Sequence, residues 1–205
     1  MNDQILNDDQ LDALTEMINI SIGVAANSLG EIVETRVVLN VPSVKVFPLS
    51  DRDRMDAALT SESKYATVKQ DFQGNLSGTA VLAFPPESAG QLVSLLTDIE
   101  YDEEDLDIMQ AGTLLEIGNI INNAFLGTLN NQFNFHVTYS LPEFNEVQIA
   151  SIVDATFQND KQGMIILANT NFLVKAKDIE GHILLLFRVA DVEYLKQKLN
   201  EMLMG

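Results

Sequence analysis

Two glutamates in this chain stand three residues before an asparagine, in Glu16-Met17-Ile18-Asn19 and in Glu116-Ile117-Gly118-Asn119. Of the fourteen glutamates in the chain, none of the other twelve has Asn at that spacing. A proline follows each Asn by twenty-three residues, Pro42 and Pro142, so all three positions recur at an offset of 100. At ordinary usage of ~5% per residue type, one ExxN in a chain of this length is close to an even bet. A proline at fixed spacing makes the coincidence far rarer, and a second copy in register rarer again. A duplication would preserve the register without any task, so the chemistry has to be weighed separately.

A carboxamide has a donor and an acceptor but no useful pKa. It is no general base, yet it can hold a water in line with a phosphorus, as glutamine does in some GTPases. A carboxylate beside it can pair with a lysine on a partner. Together they point to an enzyme that completes another protein's active site. Other routes to chemistry are missing: the chain has no GxxxxGK[ST], GxGxxG or HExxH stretch. It also has no cysteine, which removes disulfides, thiolate nucleophiles and iron–sulfur clusters together. His136 and His182 each stand alone in strand-like stretches and read as structural residues.

The elements that must position these residues are legible from periodicity. Leu11, Leu14, Ile18, Ile22, Ala25 and Leu29 make one apolar stripe and predict a helix over 9–33, capped by Asp8 or Asp9. At 100° per residue, Glu16 and Asn19 lie about 60° apart with Asp12 between them, roughly 120° from the stripe's centre. That is a polar, exposed face. Asn is a poor helix former, so its recurrence there at one phase points to a retained task. Strand preference follows from Val37 to Val46, where Pro42 implies an edge, a bulge or a bend. Residues 50–63 read as loop with a short helix. Residues 64–72 and 76–84 read as strands joined at Gly74-Asn75, and 87–97 as a helix after Pro85-Pro86.

Seven acids stand in the ten positions 98–107, but the calcium-loop arrangement of alternate-position oxygens with a central Gly and a terminal Glu is absent, and the run reads as a solvated connector. The pattern then repeats. A helix is predicted over 106–131 with Leu114, Gly118, Ile121, Phe125 and Leu129 on one stripe. Strands are predicted over 137–141, 147–157, 164–176 and 181–187, with a last helix over 189–203. Gly78/Gly181 and Phe84/Phe187 are both 103 apart. The expectation is one domain over 1–205 with an internal repeat of about 9–98 and about 106–203, which is not a solenoid.

Composition narrows the partners. Twelve Lys+Arg against thirty Asp+Glu give a net charge of −18 in 205 residues, so nucleic acid and anionic membranes are repelled. The start Met1-Asn2-Asp3-Gln4, with Asp8 and Asp9 close behind, has the wrong charge for a signal peptide. Apolar runs such as 183–187 are far below the ~18 residues of a membrane helix, so no membrane insertion and a cytoplasmic location are expected.

At the Glu/Asn/Pro positions the sequence resembles the CheC, CheX and FliY chemotaxis phosphatases. Their signature is an Asp or Ser, ExxN four residues on, and Pro after twenty-two intervening residues. Asp12, Glu16, Asn19 and Pro42 match throughout; Glu116, Asn119 and Pro142 match the second copy, with Gly112 where Asp or Ser is expected. The resemblance covers essentially the whole chain and is closest to the two-site form, CheC. It implies an α+β fold with a pseudo-two-fold duplication, a largely antiparallel sheet and two long helices carrying the sites. It also implies hydrolysis of the aspartyl phosphate of a phosphorylated CheY-type receiver. Asn19 and Asn119 would orient the water, Glu16 and Glu116 would dock to the receiver lysine, and Pro42 and Pro142 would shape the neighbouring strands. Asp12 would add charge beside the first site. Magnesium would belong to the receiver, with no cofactor in this chain, and CheD, bound by some CheC proteins, is a further candidate partner. Two other readings stand beside it: a non-catalytic receiver-binding or flagellar-switch-associated module, and a metal-dependent hydrolase built on the acidic run.

Overall fold

A computed structural model of the chain describes residues 5–32, 34–51, 63–97, 108–133, 136–158 and 162–204. Helix α1 (Asp8–Ile32) leads into strand β1 (Val37–Pro48), then β2 (Tyr65–Gly74), β3 (Gly78–Phe84) and helix α2 (Pro86–Thr97). Helix α3 (Ile108–Phe133) precedes β4 (Val137–Tyr139), β5 (Glu143–Val147), helix α4 (Ile149–Thr156), β6 (Gly163–Val174), β7 (Lys177–Arg188) and helix α5 (Val189–Met204). The loop predicted over 50–63 and the acidic connector over 98–107 lie, for the most part and entirely respectively, outside the described residues.

The strands form one sheet in the order β1-β6-β7-β3-β2-β4, with β5 also on β2. Every pairing is antiparallel. The central strands are buried on both faces, which is why 80–84 and 183–187 read as continuous apolar runs rather than alternating ones. Period two still sorts their side chains: Ala80, Leu82 and Phe84 join a core with α1, α2, α3 and α5, while Val81 and Ala83 face α4 on the other side.

The sheet is pseudo-two-fold. Its order reads the same from either edge when β1, β2 and β3 are exchanged with β4/β5, β6 and β7. Val81 pairs with Leu184, its own counterpart at the offset of 103, so the axis passes through that pair. Around it, a Cβ on Gly78 would meet Phe187 and Phe72, and one on Gly181 would meet Phe84 and Phe172. The outer pairings repeat at 100: Val37↔Val174 and Ser43↔Asn169 on one edge, Gly74↔Val137 and Lys69↔Glu143 on the other.

One predicted strand is wrong. Residues 149–156 are helix α4, and the strand before it is Glu143–Val147. Ile149, Ile152, Val153 and Phe157 are β-branched or aromatic, which reads as strand, but their spacing of three and four is helical. Burying that stripe against Phe47, Tyr65, Ile165 and Leu167 decides the outcome. The cap of α1 also differs. Asn7, not Asp8 or Asp9, accepts from the Gln10 amide at 2.8 Å, and Gln10 Oε1 accepts from the Asn7 amide at 3.0 Å. This is a capping box, and Asp8 and Asp9 stand in the first turn, at the positive end of the helix dipole.

His182 is buried in β7, its Nδ1 3.1 Å from Asn169 Oδ1, while Asn169 Nδ2 donates to Ser43 Oγ at 2.9 Å. With the Asn169 amide donating to Ser43, Nδ1 carries the proton and donates to Asn169. Burial holds the imidazole pKa below its ordinary 6.5, with Glu180 pulling weakly the other way. The unfolded chain therefore takes up the proton first, and stability falls as pH drops below about 6.5. A Tm series from pH 8 to 5 should decline more steeply for the wild type than for His182→Gln; parallel curves would contradict this.

Candidate functional site

Helix α1 buries Ala13, Leu14, Met17, Ile18, Ser21, Ile22 and Ala25, which turn one face to the sheet and to α3. The opposite face carries Asp12, Glu16 and Asn19, all exposed as the helical angle requires, with the partly exposed Ile20 and Val24 beside them. Neither Glu16 nor Asn19 is engaged in a side-chain hydrogen bond among the described residues, so both are available to a partner.

Helix α3 repeats the arrangement. Leu114, Ile117, Ile121 and Phe125 are buried, Glu116 is exposed and Asn119 is half-buried. Its approach to the sheet is closer than a side chain would allow at one position: a Cβ on Gly118 would lie 2.4 to 2.7 Å from three carbons of Val68 on β2. The corresponding residue on α1 is Ile18, fully buried. Gly112, in place of Asp12, is exposed with nothing near its Cβ position. It borders an apolar groove of about 490 Å³ that Leu29, Ile32, Leu96, Met109 and Glu116 also line.

The two prolines occupy matching interruptions. In β1, Val41 and Pro42 stand opposite the single residue between Asn169 and Asn171, a bulge in an edge strand. Between β4 and β5, residues 140–142 stand opposite Gln70 and Asp71, again one residue too many. A proline there removes no ladder hydrogen bond. The gap at Pro142 is bridged instead by Ser140, whose amide donates to the Asp71 carbonyl at 2.9 Å while Oγ accepts from the Asp71 amide at 3.0 Å.

Asn123 was not singled out from the sequence. Its Nδ2 donates to Asn119 Oδ1 at 2.8 Å, one turn further along α3. The signal was a carboxamide at i+4 from another, which a helix brings face to face. The corresponding residue on α1 is Gly23. Among the described residues no three His, Asp or Glu side chains gather to hold a metal, and no helix is long and apolar enough to cross a membrane.

No protein-family model matches the chain. It is 25% identical over 151 residues to the CheY-P phosphatase CheC of Bacillus subtilis strain 168, spanning 72% of this chain and 71% of that one. Among solved structures, Thermotoga maritima FliY superposes with a TM-score of 0.77 at 15% identity, over 97% of this chain and 99% of that one. The FliM middle domain of H. pylori gives 0.65 at 14% identity, over 94% and 99%. The CheX-CheY-BeF3-Mg complex from Borrelia burgdorferi gives 0.53 at 19% identity, over 87% and 99%. These structures share its fold.

Proposed function

We propose that this chain, which belongs to the CheC, CheX and FliY family, hydrolyses the aspartyl phosphate of a CheY-type response regulator. The observation that carries the reading is the display of one Glu/Asn pair on the solvent face of each long helix, in corresponding positions. A static polar face on a helix needs no such pairing, and mid-helix asparagine is disfavoured unless used. The likeness to a CheY-P phosphatase over most of the chain supports the same reading.

In the proposed reaction, Asn19 or Asn119 enters the receiver's site and accepts a hydrogen bond from a water through Oδ1. The water's lone pair is then directed at phosphorus, in line with the acyl oxygen. Its oxygen bonds to phosphorus as the acyl-phosphate bond breaks, releasing inorganic phosphate and a free aspartate. The loose transition state asks for positioning more than for a base, which is what a carboxamide can supply. Glu16 and Glu116 pair with the receiver's lysine and set the docking register. Magnesium is the receiver's own, and CheD remains a candidate partner.

The test is phosphate release from a phosphorylated CheY-type receiver with magnesium, with and without this chain. Acceleration supports the proposal. Tight binding with no acceleration supports the second reading, a receiver-binding or flagellar-switch-associated module, which the likeness of fold to FliM favours. Changing both Glu16 and Glu116 to Gln should raise KM about tenfold with a smaller change in kcat, because a charge-assisted bond at docking is lost. Raising salt should shrink the difference between wild type and variant.

A further inference from the structure

The two sites differ where the helices differ. On α3 the Asn119 carboxamide is held by Asn123, with 2.8 Å between Asn123 Nδ2 and Asn119 Oδ1. On α1 the residue one turn after Asn19 is Gly23, which has no side chain and open space around it. Asn19 is engaged in no side-chain hydrogen bond among the described residues. We infer that Asn123 is a positioning residue that holds the Asn119 carboxamide in its working orientation, so that the second site is pre-set and the first is ordered only as the transition state forms.

The physical case rests on the torsion that carries the amide group. The last torsion of Asn is broad and roughly two-fold, so an unsupported carboxamide samples both faces, docked or free, and ordering it at the transition state carries an entropic cost. The bond from Asn123 selects one face. It occupies one lone pair of Oδ1 and leaves the other for a water proton, and it leaves both N–H groups of Asn119 for acceptors on the partner. Donation into the carbonyl also polarises the amide and strengthens those N–H donors. Asn123 is itself exposed, so no core packing explains its presence. Alanine there would favour the helix more. The asymmetry runs the opposite way at the preceding position: the first site has Asp12, and the second has Gly112. Each site thus lacks something the other has.

The kinetic part of this inference rests on the phosphatase reading; the side-chain part does not. In the wild-type chain, ¹⁵N relaxation of the side-chain amides should show Asn119 ordered and Asn19 mobile, and Asn123→Ala should bring Asn119 to the level of Asn19. Equal mobility of the two in the wild type overturns the inference, whether or not any receiver is dephosphorylated. With Asn19→Ala as the background, Asn123→Ala should lower kcat about two- to tenfold with KM unchanged and no loss in Tm. With Asn119→Ala as the background, Gly23→Asn should raise kcat by a similar factor and Gly23→Ala should not. A fall in Tm that tracks the loss of kcat on Asn123→Ala would show a structural role and overturn the inference. Absence of phosphate release from both single-site parents counts against the phosphatase reading, and the relaxation experiment still decides the role of Asn123.

Discussion

Changing Asn19 and Asn119 together to Ala is expected to abolish acceleration of phosphate release while the chain still binds the phosphorylated receiver within a few-fold of wild type. The separation follows from chemistry. A carboxamide that aligns water acts on the transition state, and losing such a group costs about two to three orders of magnitude in kcat. In the proposed reaction docking falls to the Glu16 and Glu116 carboxylates, which the substitution leaves in place. Folding is not at risk: Asn19 is exposed, Asn119 is half-buried, and alanine favours a helix interior. An unchanged or slightly raised Tm beside lost turnover is therefore the expected signature. Single substitutions apportion the work. If Asn19→Ala alone abolishes release, the helix with Gly112 carries no working site. If each single leaves part of the rate, both helices work. A double variant that turns over like wild type would remove the water-positioning role altogether.

The largest structural effect is expected at Gly118. Glycine to alanine in an exposed helix interior gains about 1 kcal/mol, and Gly23→Ala, with nothing near its Cβ, should show roughly that. At Gly118 the same added carbon would sit 2.4 Å from Val68 Cβ and 2.5 and 2.7 Å from its two methyls. Overpacking of this kind costs about 1–3 kcal/mol, and α3 cannot retreat without disturbing the burial of Leu114, Ile121 and Phe125. Gly118→Ala should therefore destabilise the chain by about 2 kcal/mol in denaturant titration, lowering Tm by about 5 °C. In the double-mutant cycle with Val68→Gly, the two losses should fall well short of adding, because removing the whole Val68 side chain, Cβ included, makes the room. Full additivity would mean that the close approach is not the cause. Because Gly118 directly precedes Asn119, the variant should also depress second-site turnover more than first-site turnover.

Much of this was legible in the residues. Helix α1 and the β2–β3 hairpin carry strong periodicity and turn chemistry, and their ends fall within one or two residues of expectation. The outward face of Asp12, Glu16 and Asn19 followed from helical angle alone, since α1 has a single well-defined stripe. Helix α4 was not legible, because Ile149, Ile152 and Val153 suit either state and only the opposing face of the sheet arbitrates. The capping box was missed because Asp8 and Asp9 are stronger lures than Asn7, although Gln10 three residues on was the sign. The support of Asn119 by Asn123 lies in the rotamer of one side chain, which spacing permits but does not set. The matched interruptions at Pro42 and Pro142 were legible as punctuation, and their likeness emerges only in the pairing register.

The sheet order has a consequence for the making of the protein. Each half of the chain gives its first strand to the other half: β1 pairs with β6, and β4 and β5 pair with β2. A ribosome releases β1 at Pro48 and does not deliver its partner until Gly163 onward. Through most of synthesis the nascent chain therefore holds an unpaired edge whose hydrogen bonds belong to residues not yet made. Contacts of such long sequence separation are slow to form. The bulge and Pro42 within β1 make that waiting strand a poor template for pairing with a neighbouring chain. The same proline that punctuates the strand beside the first site thus protects the half-made protein from its own copies.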